Sequence, residues 1–365
     1  MSPPPPPRGP RLDVIRDDVR AMRAYAVPDA TGLIKLDAME NPFALPADLA
    51  RELGERLSQV ALNRYPPADP TRFKQRLARV AGLPAGAALM LGNGSDELIH
   101  LMIQACARPD VPGGAVVLGP TPGFVMVEVF ARLDGCRFVG VALRPDFELD
   151  VKAMCQAIDA HRPALLFIAY PNNPTGNLFS RAGLEQVLDR APGLVVIDEA
   201  YLPFAQDTWM PQLAARPNLV VLRTLSKLGL AGVRLGYACA DPAWIGEFDK
   251  VRPPYNVGVL PLTAADFLLD HFDVLHQQAA LIRSERARLL DALRAQPQVT
   301  AFDSAANFVL FRVAQPQALF AGLRGRGILL KDVSGAHPLL AGCLRVTVGT
   351  PQENDAFLQA LGALL

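Results

Sequence analysis

Between about residues 87 and 240, short runs of apolar and β-branched residues alternate with stretches of helical length in which apolar positions return every three or four residues. The runs at 115–118, 165–169, 194–197, 219–223 and 235–239 predict strands. They are apolar almost throughout rather than alternating, which predicts a mainly parallel sheet buried on both faces and wrapped by helices, an α/β fold. After about residue 260 the pattern changes to a helical stretch over 262–294, strands over 307–312 and 343–348 around a helix, and a last helix from Gln352. The expected organisation is a large α/β/α domain over 50–260 and a smaller α+β domain made of 12–49 plus 261–365. Residues 1–11, with five consecutive prolines and no apolar stretch, predict a disordered tail rather than a signal peptide or anchor.

Half of the 365 residues are apolar, enough to bury a large core and too many for a disordered chain. Lys plus Arg and Asp plus Glu both number 36, so no global charge draws the protein to nucleic acid or to an acidic membrane surface. No run of about eighteen apolar residues occurs. The five cysteines are scattered and form no C-x-x-C pair, which predicts reduced thiols in a cytoplasmic protein.

Polar or glycine-rich clusters repeatedly follow the apolar runs. In open α/β sheets ligands bind beyond the carboxyl ends of strands, so these clusters are candidates to converge on one crevice. Tyr170-Pro-Asn-Asn-Pro-Thr-Gly176 is turn chemistry that can also aim the Asn173 amide. Asp198-Glu-Ala-Tyr201 ends another run. There, Asp198 is either a helix N-cap or the partner of a protonated ring nitrogen, and Tyr201 either a half-buried core residue or a donor to the same ring. Thr224-Leu-Ser-Lys227 ends a third. Lys227 is either a solvated side chain or an amine sheltered enough to form a Schiff base, with Arg223 and Arg234 placed to supply the positive field that this needs. Gly92-Asn-Gly-Ser-Asp-Glu97 before a helical stretch is either a plain Ser/Asp cap or a phosphate cup at a helix N-terminus. Glu97 stands where a dinucleotide fingerprint has its third glycine. There is no H-E-x-x-H, no G-x-S-x-G, and His271 and His276 are five residues apart, off one helical face.

In this order, together with Lys35-Leu-Asp-Ala-Met-Glu-Asn-Pro42, Arg64-Tyr-Pro66, Ala231-Gly-Val-Arg-Leu-Gly-Tyr237 and Cys343-Leu-Arg-Val-Thr-Val-Gly349, the clusters resemble the class I/II, fold-type I pyridoxal-phosphate aminotransferases, most closely their histidinol-phosphate branch. The resemblance covers nearly the whole chain after the proline run. It implies pyridoxal 5'-phosphate bound to Lys227, which also shuttles a proton, with Asp198 on the ring nitrogen and Asn173 and Tyr201 on the ring oxygen. It implies that Gly94, Ser95, the backbone of Asp96, Ser226 and Arg234 hold the cofactor phosphate, with Tyr65 reaching over from the other subunit of a homodimer, and that Phe124 stacks on the ring. Substrate contacts would come from Tyr25, Asn41, Lys331 and Arg345. The implied reaction is transamination between histidinol phosphate and 2-oxoglutarate, giving imidazole-acetol phosphate and glutamate in histidine biosynthesis, with no metal, nucleic acid or membrane involved. Val127 and Lys331 depart from the pattern, standing where the family commonly has an aromatic residue and an arginine. The alternatives are an aromatic amino-acid aminotransferase, a threonine-phosphate decarboxylase, or a non-catalytic regulatory protein on the same scaffold. The last would be expected to lack the lysine or to carry an added DNA-binding domain.

Overall fold

The structure is a computed structural model and describes residues 11–24 and 27–365. The proline run and Tyr25 lie outside the described residues. The chain divides into two units, Met1–Thr31 and Gly32–Leu365. In the first, short helical turns at Leu12–Val14 and Asp17–Ala21 carry exposed ion pairs such as Arg16 with Asp18, which contribute little to stability.

In the second unit the strands are β1 (Ile34–Lys35), β2 (Ala88–Gly92), β3 (Val116–Thr121), β4 (Arg137–Ala142), β5 (Leu165–Ala169), β6 (Leu194–Asp198), β7 (Leu219–Thr224), β8 (Gly236–Ala240), β9 (Thr300–Ala301), β10 (Phe308–Arg312), β11 (Ile328–Leu329), β12 (Lys331–Asp332) and β13 (Cys343–Thr347). Seven of them form one sheet in the order β2-β8-β7-β6-β5-β3-β4. The pairs β7–β6, β6–β5, β5–β3 and β3–β4 are parallel, while β8 runs antiparallel to both neighbours.

The unbroken apolar character of the central strands has its cause in the two cores. Along β6, Leu194 and Val196 pack with Phe167, Val220, Leu98 and Phe248 on one face, and Val195 and Ile197 pack with Ile168, Val221 and Phe204 on the other. Each such side chain removed from water stabilises the fold by about 1.5–3 kcal/mol. The reversal at β8 follows from the short link after β7, too short for a crossover helix. It is folded as helical turns at Ser226–Leu230 and Ala231–Val233, and the backbone of Gly229 takes φ 128°. Lys227 lies in that link.

A four-stranded antiparallel sheet, β12-β13-β10-β9, occupies the C-terminal third, with β1 paired to β11 beside it. The helical stretch expected over 262–294 is two helices, Val259–Leu268 and Phe272–Arg294, joined by a tight turn at Leu269–His271. Among the described residues no helix is long and apolar enough to cross a membrane.

Candidate active site

The carboxyl ends of the parallel strands and the link before β8 open on one cleft of about 100 Å³, lined by Met39, Ser95, Asp96, Phe124, Ala169, Asn173, Asp198, Ala200, Tyr201, Thr224, Ser226, Lys227 and Arg234. Nine residues singled out in the sequence therefore meet on one surface.

Asp198 is the last residue of β6 and buried. Its Oδ1 accepts from the Ala200 N–H at 3.0 Å, and among the described residues it forms no ion pair. It is not a helix N-cap, since Tyr201 holds that position for Leu202–Ala205. Burial pushes its carboxyl up to about 7, with Asp96 and Glu199 adding to the rise and the Ala200 N–H opposing it. The charge of Lys227 opposes the rise as well, without forming an ion pair with the carboxyl, so burial prevails. Beside it Asn173 Nδ2 donates to the Tyr201 hydroxyl at 3.3 Å, and burial pushes that phenol up.

Lys227 Nζ donates to the Ala38 carbonyl at 3.3 Å. Burial lowers its ammonium to about 8, helped by the charges of Arg345 and Arg234 and opposed by Glu40 and Asp96. The expected contribution of Arg223 is not found. Its Nε donates to Glu199 Oε2 at 2.9 Å, its Nη1 to the Ala81 carbonyl and its Nη2 to Thr208, so it is spent on a buried acid outside the cleft's lining. Arg345, which sequence reasoning assigned only to substrate, supplies the field instead.

At the far end of the cleft Ser95 and Asp96 lie in the first turn of the helix Gly94–Cys106, and Arg234 Nη1 donates to Ser226 Oγ at 3.2 Å. Glycine is required at Gly94: its φ is 78°, and a Cβ there would lie 2.7 Å from Arg234 Nη2. Free N–H groups at a helix end, two hydroxyls and a guanidinium make a set of anion donors. Phe124 walls the cleft. Behind it Val127 is buried and shares with Phe124, Phe167 and Asp198 the lining of a small, mostly apolar hollow.

Arg345, in the middle of β13, is 7% exposed and donates from Nη1 to Asn173 Oδ1 at 2.6 Å and from Nη2 to the Asp37 carbonyl at 3.0 Å. Lys331 is its cross-strand neighbour on β12, which puts both side chains on one face of the small sheet. Asn41 lies next to the lysine link, donating from Nδ2 to the Leu228 carbonyl and to Gln278 Oε1. Tyr65 does not line the cleft of its own chain. It is 81% exposed and stacks on Tyr255 at 4.8 Å. Met39, held at φ 52° with its N–H on Thr347 Oγ1, was missed, because nothing in its neighbours announces a left-handed residue.

The set fits a flat, phosphorylated aromatic carbonyl compound with a protonable ring nitrogen. Its phosphate would meet the helix end, its ring nitrogen Asp198, its ring oxygen Asn173 and Tyr201, and its carbonyl carbon Lys227.

The chain belongs to the aminotransferase class I and II family, whose model matches residues 31–361. Its relatives include histidinol-phosphate aminotransferase 1 of Ralstonia nicotianae, 57% identical over 357 residues, 96% of this chain and 94% of that protein. The histidinol-phosphate aminotransferase of Methylibium petroleiphilum is 57% identical over 364 residues, 99% and 97% of the two chains. Among solved structures, the histidinol-phosphate aminotransferase of Sinorhizobium meliloti in complex with pyridoxal-5'-phosphate superposes with a TM-score of 0.82 at 24% identity, covering 95% of this chain and 96% of that one. At that identity the likeness speaks for the fold, which is the fold-type I aminotransferase fold.

Proposed function

We propose that this protein transfers the amino group of histidinol phosphate to 2-oxoglutarate, giving imidazole-acetol phosphate and glutamate, with pyridoxal 5'-phosphate held on Lys227. The observation that carries the substrate assignment is the 57% identity, over nearly the full length of both chains, to relatives named for that reaction. The pairing of Lys331 with Arg345 on one face of the small sheet supports it, because Arg345 bonds the cleft residue Asn173 and a second cation next to it suits a phosphate ester. Bound in the cleft, the cofactor supplies a conjugated electron sink for the pair left on the substrate Cα.

The protein's own groups do the rest. Lys227 Nζ, lowered toward neutrality, takes the proton from the substrate Cα and delivers it to the cofactor C4'. Asp198 keeps the ring nitrogen protonated, and that cation gives the buried carboxyl a directly paired partner. Asn173 and Tyr201 orient the ring oxygen, Phe124 packs on the ring face, and Gly94, Ser95, the backbone of Asp96, Ser226 and Arg234 hold the phosphate. Asn41 guards the entrance beside the lysine link. Arg345 receives the carboxylate of glutamate, and with Lys331 and Tyr25 the phosphate of the other substrate. Tyr65, exposed and stacked on Tyr255, would serve the partner's phosphate site in a homodimer. Five free cysteines suit a cytoplasmic protein.

Incubating the purified enzyme with histidinol phosphate and 2-oxoglutarate should yield glutamate. The kcat/KM should exceed that for histidinol or phenylalanine by at least about a hundredfold, as expected where a cationic site loses its anion. Equal rates with phenylalanine would favour an aromatic aminotransferase, and release of carbon dioxide from threonine phosphate a decarboxylase.

A further inference from the structure

Glu97 poses a problem. It places a carboxylate in the first turn of the helix whose N-terminus faces the cleft, where a phosphate is proposed to bind, and on charge alone it would repel that phosphate. Its hydrogen bonds show what it does instead. Glu97 Oε2 accepts from the Asn93 N–H at 2.6 Å and from Asn256 Nδ2 at 2.8 Å, and Oε1 accepts from Asn93 Nδ2 at 3.2 Å. Asn93 Nδ2 also donates to the Asn256 carbonyl at 2.7 Å, while Arg252 Nη1 steadies Asn256 Oδ1 at 2.8 Å.

Asn93 is the N-cap of this helix, and an asparagine there ordinarily turns its side-chain oxygen onto the N–H of the second or third helical residue. Here the Asn93 side chain makes no such bond. Its amide is drawn to Glu97 and to the 252–256 segment. The N–H groups of the first turn, which an intact cap would occupy, stay available to a ligand.

We infer that Glu97, with Asn256, is a positioning residue that holds the Asn93 amide off the helix end and so keeps the first-turn N–H groups free for the cofactor phosphate. The inference rests on the proposed placement of that phosphate. Its consequence runs against simple electrostatics: Glu97→Gln removes a negative charge near an anion site, yet it should weaken anion binding. A glutamine can keep its oxygen on the Asn93 N–H and Asn256 Nδ2, but its NH2 then faces Asn93 Nδ2, donor against donor, so the Asn93 amide is released and its oxygen can cap the helix.

The test uses cofactor-free protein titrated with pyridoxal 5'-phosphate, with inorganic phosphate as a competitor, and with pyridoxal, which lacks the phosphate. Wild type should prefer pyridoxal 5'-phosphate to pyridoxal. If it does not, the phosphate placement itself fails. Given that preference, Glu97→Gln should weaken pyridoxal 5'-phosphate and inorganic phosphate by at least about tenfold, some 1.4 kcal/mol, and leave pyridoxal within about twofold. The double variant Asn93→Gly with Glu97→Gln should recover most of the loss, because the competing amide is gone. The inference is overturned if Glu97→Gln binds phosphate as well as or better than wild type, or if the double variant is no better than the single one. Equal loss for all three ligands with a fallen Tm also overturns it, since Glu97 is then a stabilising cap and nothing more.

Discussion

Arg345 Nη1 donates to Asn173 Oδ1 at 2.6 Å, so one buried guanidinium joins the centre of the small antiparallel sheet to the loop after β5. The same guanidinium is the leading charge among the causes that bring Lys227 down to about 8, after burial itself. Replacing Arg345 by Gln should therefore raise the Lys227 pKa and lower its deprotonated fraction at neutral pH. The rate at which cofactor-free protein takes up pyridoxal phosphate, followed from about pH 6 to about pH 10, should shift to the alkaline side. A profile that does not move would mean that burial alone sets the amine.

Asp198 gives a prediction about stability with a definite sign. Its folded pKa, about 7, lies above the ordinary 3.8, so its contribution to stability is fully present below the lower value and is lost as pH rises through the upper one. Without cofactor, Asp198→Asn should be more stable than wild type at about pH 8, by up to about 4 kcal/mol at about 1.4 kcal/mol per pKa unit. With cofactor the order of merit reverses for catalysis. The variant should bind pyridoxal phosphate and lose turnover on the order of a hundredfold or more, because the ring nitrogen no longer stays protonated. Chemical denaturation and turnover at matched occupancy check the two halves.

The cross-strand pair Lys331 and Arg345 separates the two substrates. Lys331→Met should lower kcat/KM for histidinol phosphate by at least about tenfold while changing the glutamate half of the reaction far less, since a guanidinium alone can fork onto a carboxylate. If the ratio of histidinol phosphate to histidinol is unchanged, Lys331 takes no part in holding the phosphate.

Tyr65 is exposed in its own chain, and its proposed place is the partner's site. Neither Tyr65→Ala nor Lys227→Ala homodimers should turn over well. Mixed protomers should recover about a quarter of wild-type activity, one intact site in each heterodimer under random assortment. Heterodimers that form and stay inactive would remove Tyr65 from the partner's site.

Much of this was legible in the sequence because the central strands are buried on both faces. The 165–169 run coincides with β5, and the 194–197 run stops one residue short of β6, whose last member is Asp198. β4 escaped notice because it is an edge strand, Arg137–Ala142, with a glycine inside and Val141 alone fully buried. Convergence of the loops on one cleft followed from strand direction, and nine of the singled-out residues line it. What sequence could not give was the competition between neighbours. Arg223 and Arg234 look equally placed around Lys227, but Glu199 lies beneath Arg223 and takes it. The Glu97, Asn93 and Asn256 network joins positions about 160 residues apart, and no local pattern announces it.

The most direct test of the account is the identity of the lysine that carries the cofactor. The yellow protein reconstituted with pyridoxal phosphate should be reduced with borohydride, digested and mapped. The pyridoxyl label should fall on Lys227, and the Lys227→Ala variant should take up no label and show no turnover. A label on any other lysine, or full turnover without Lys227, would contradict it.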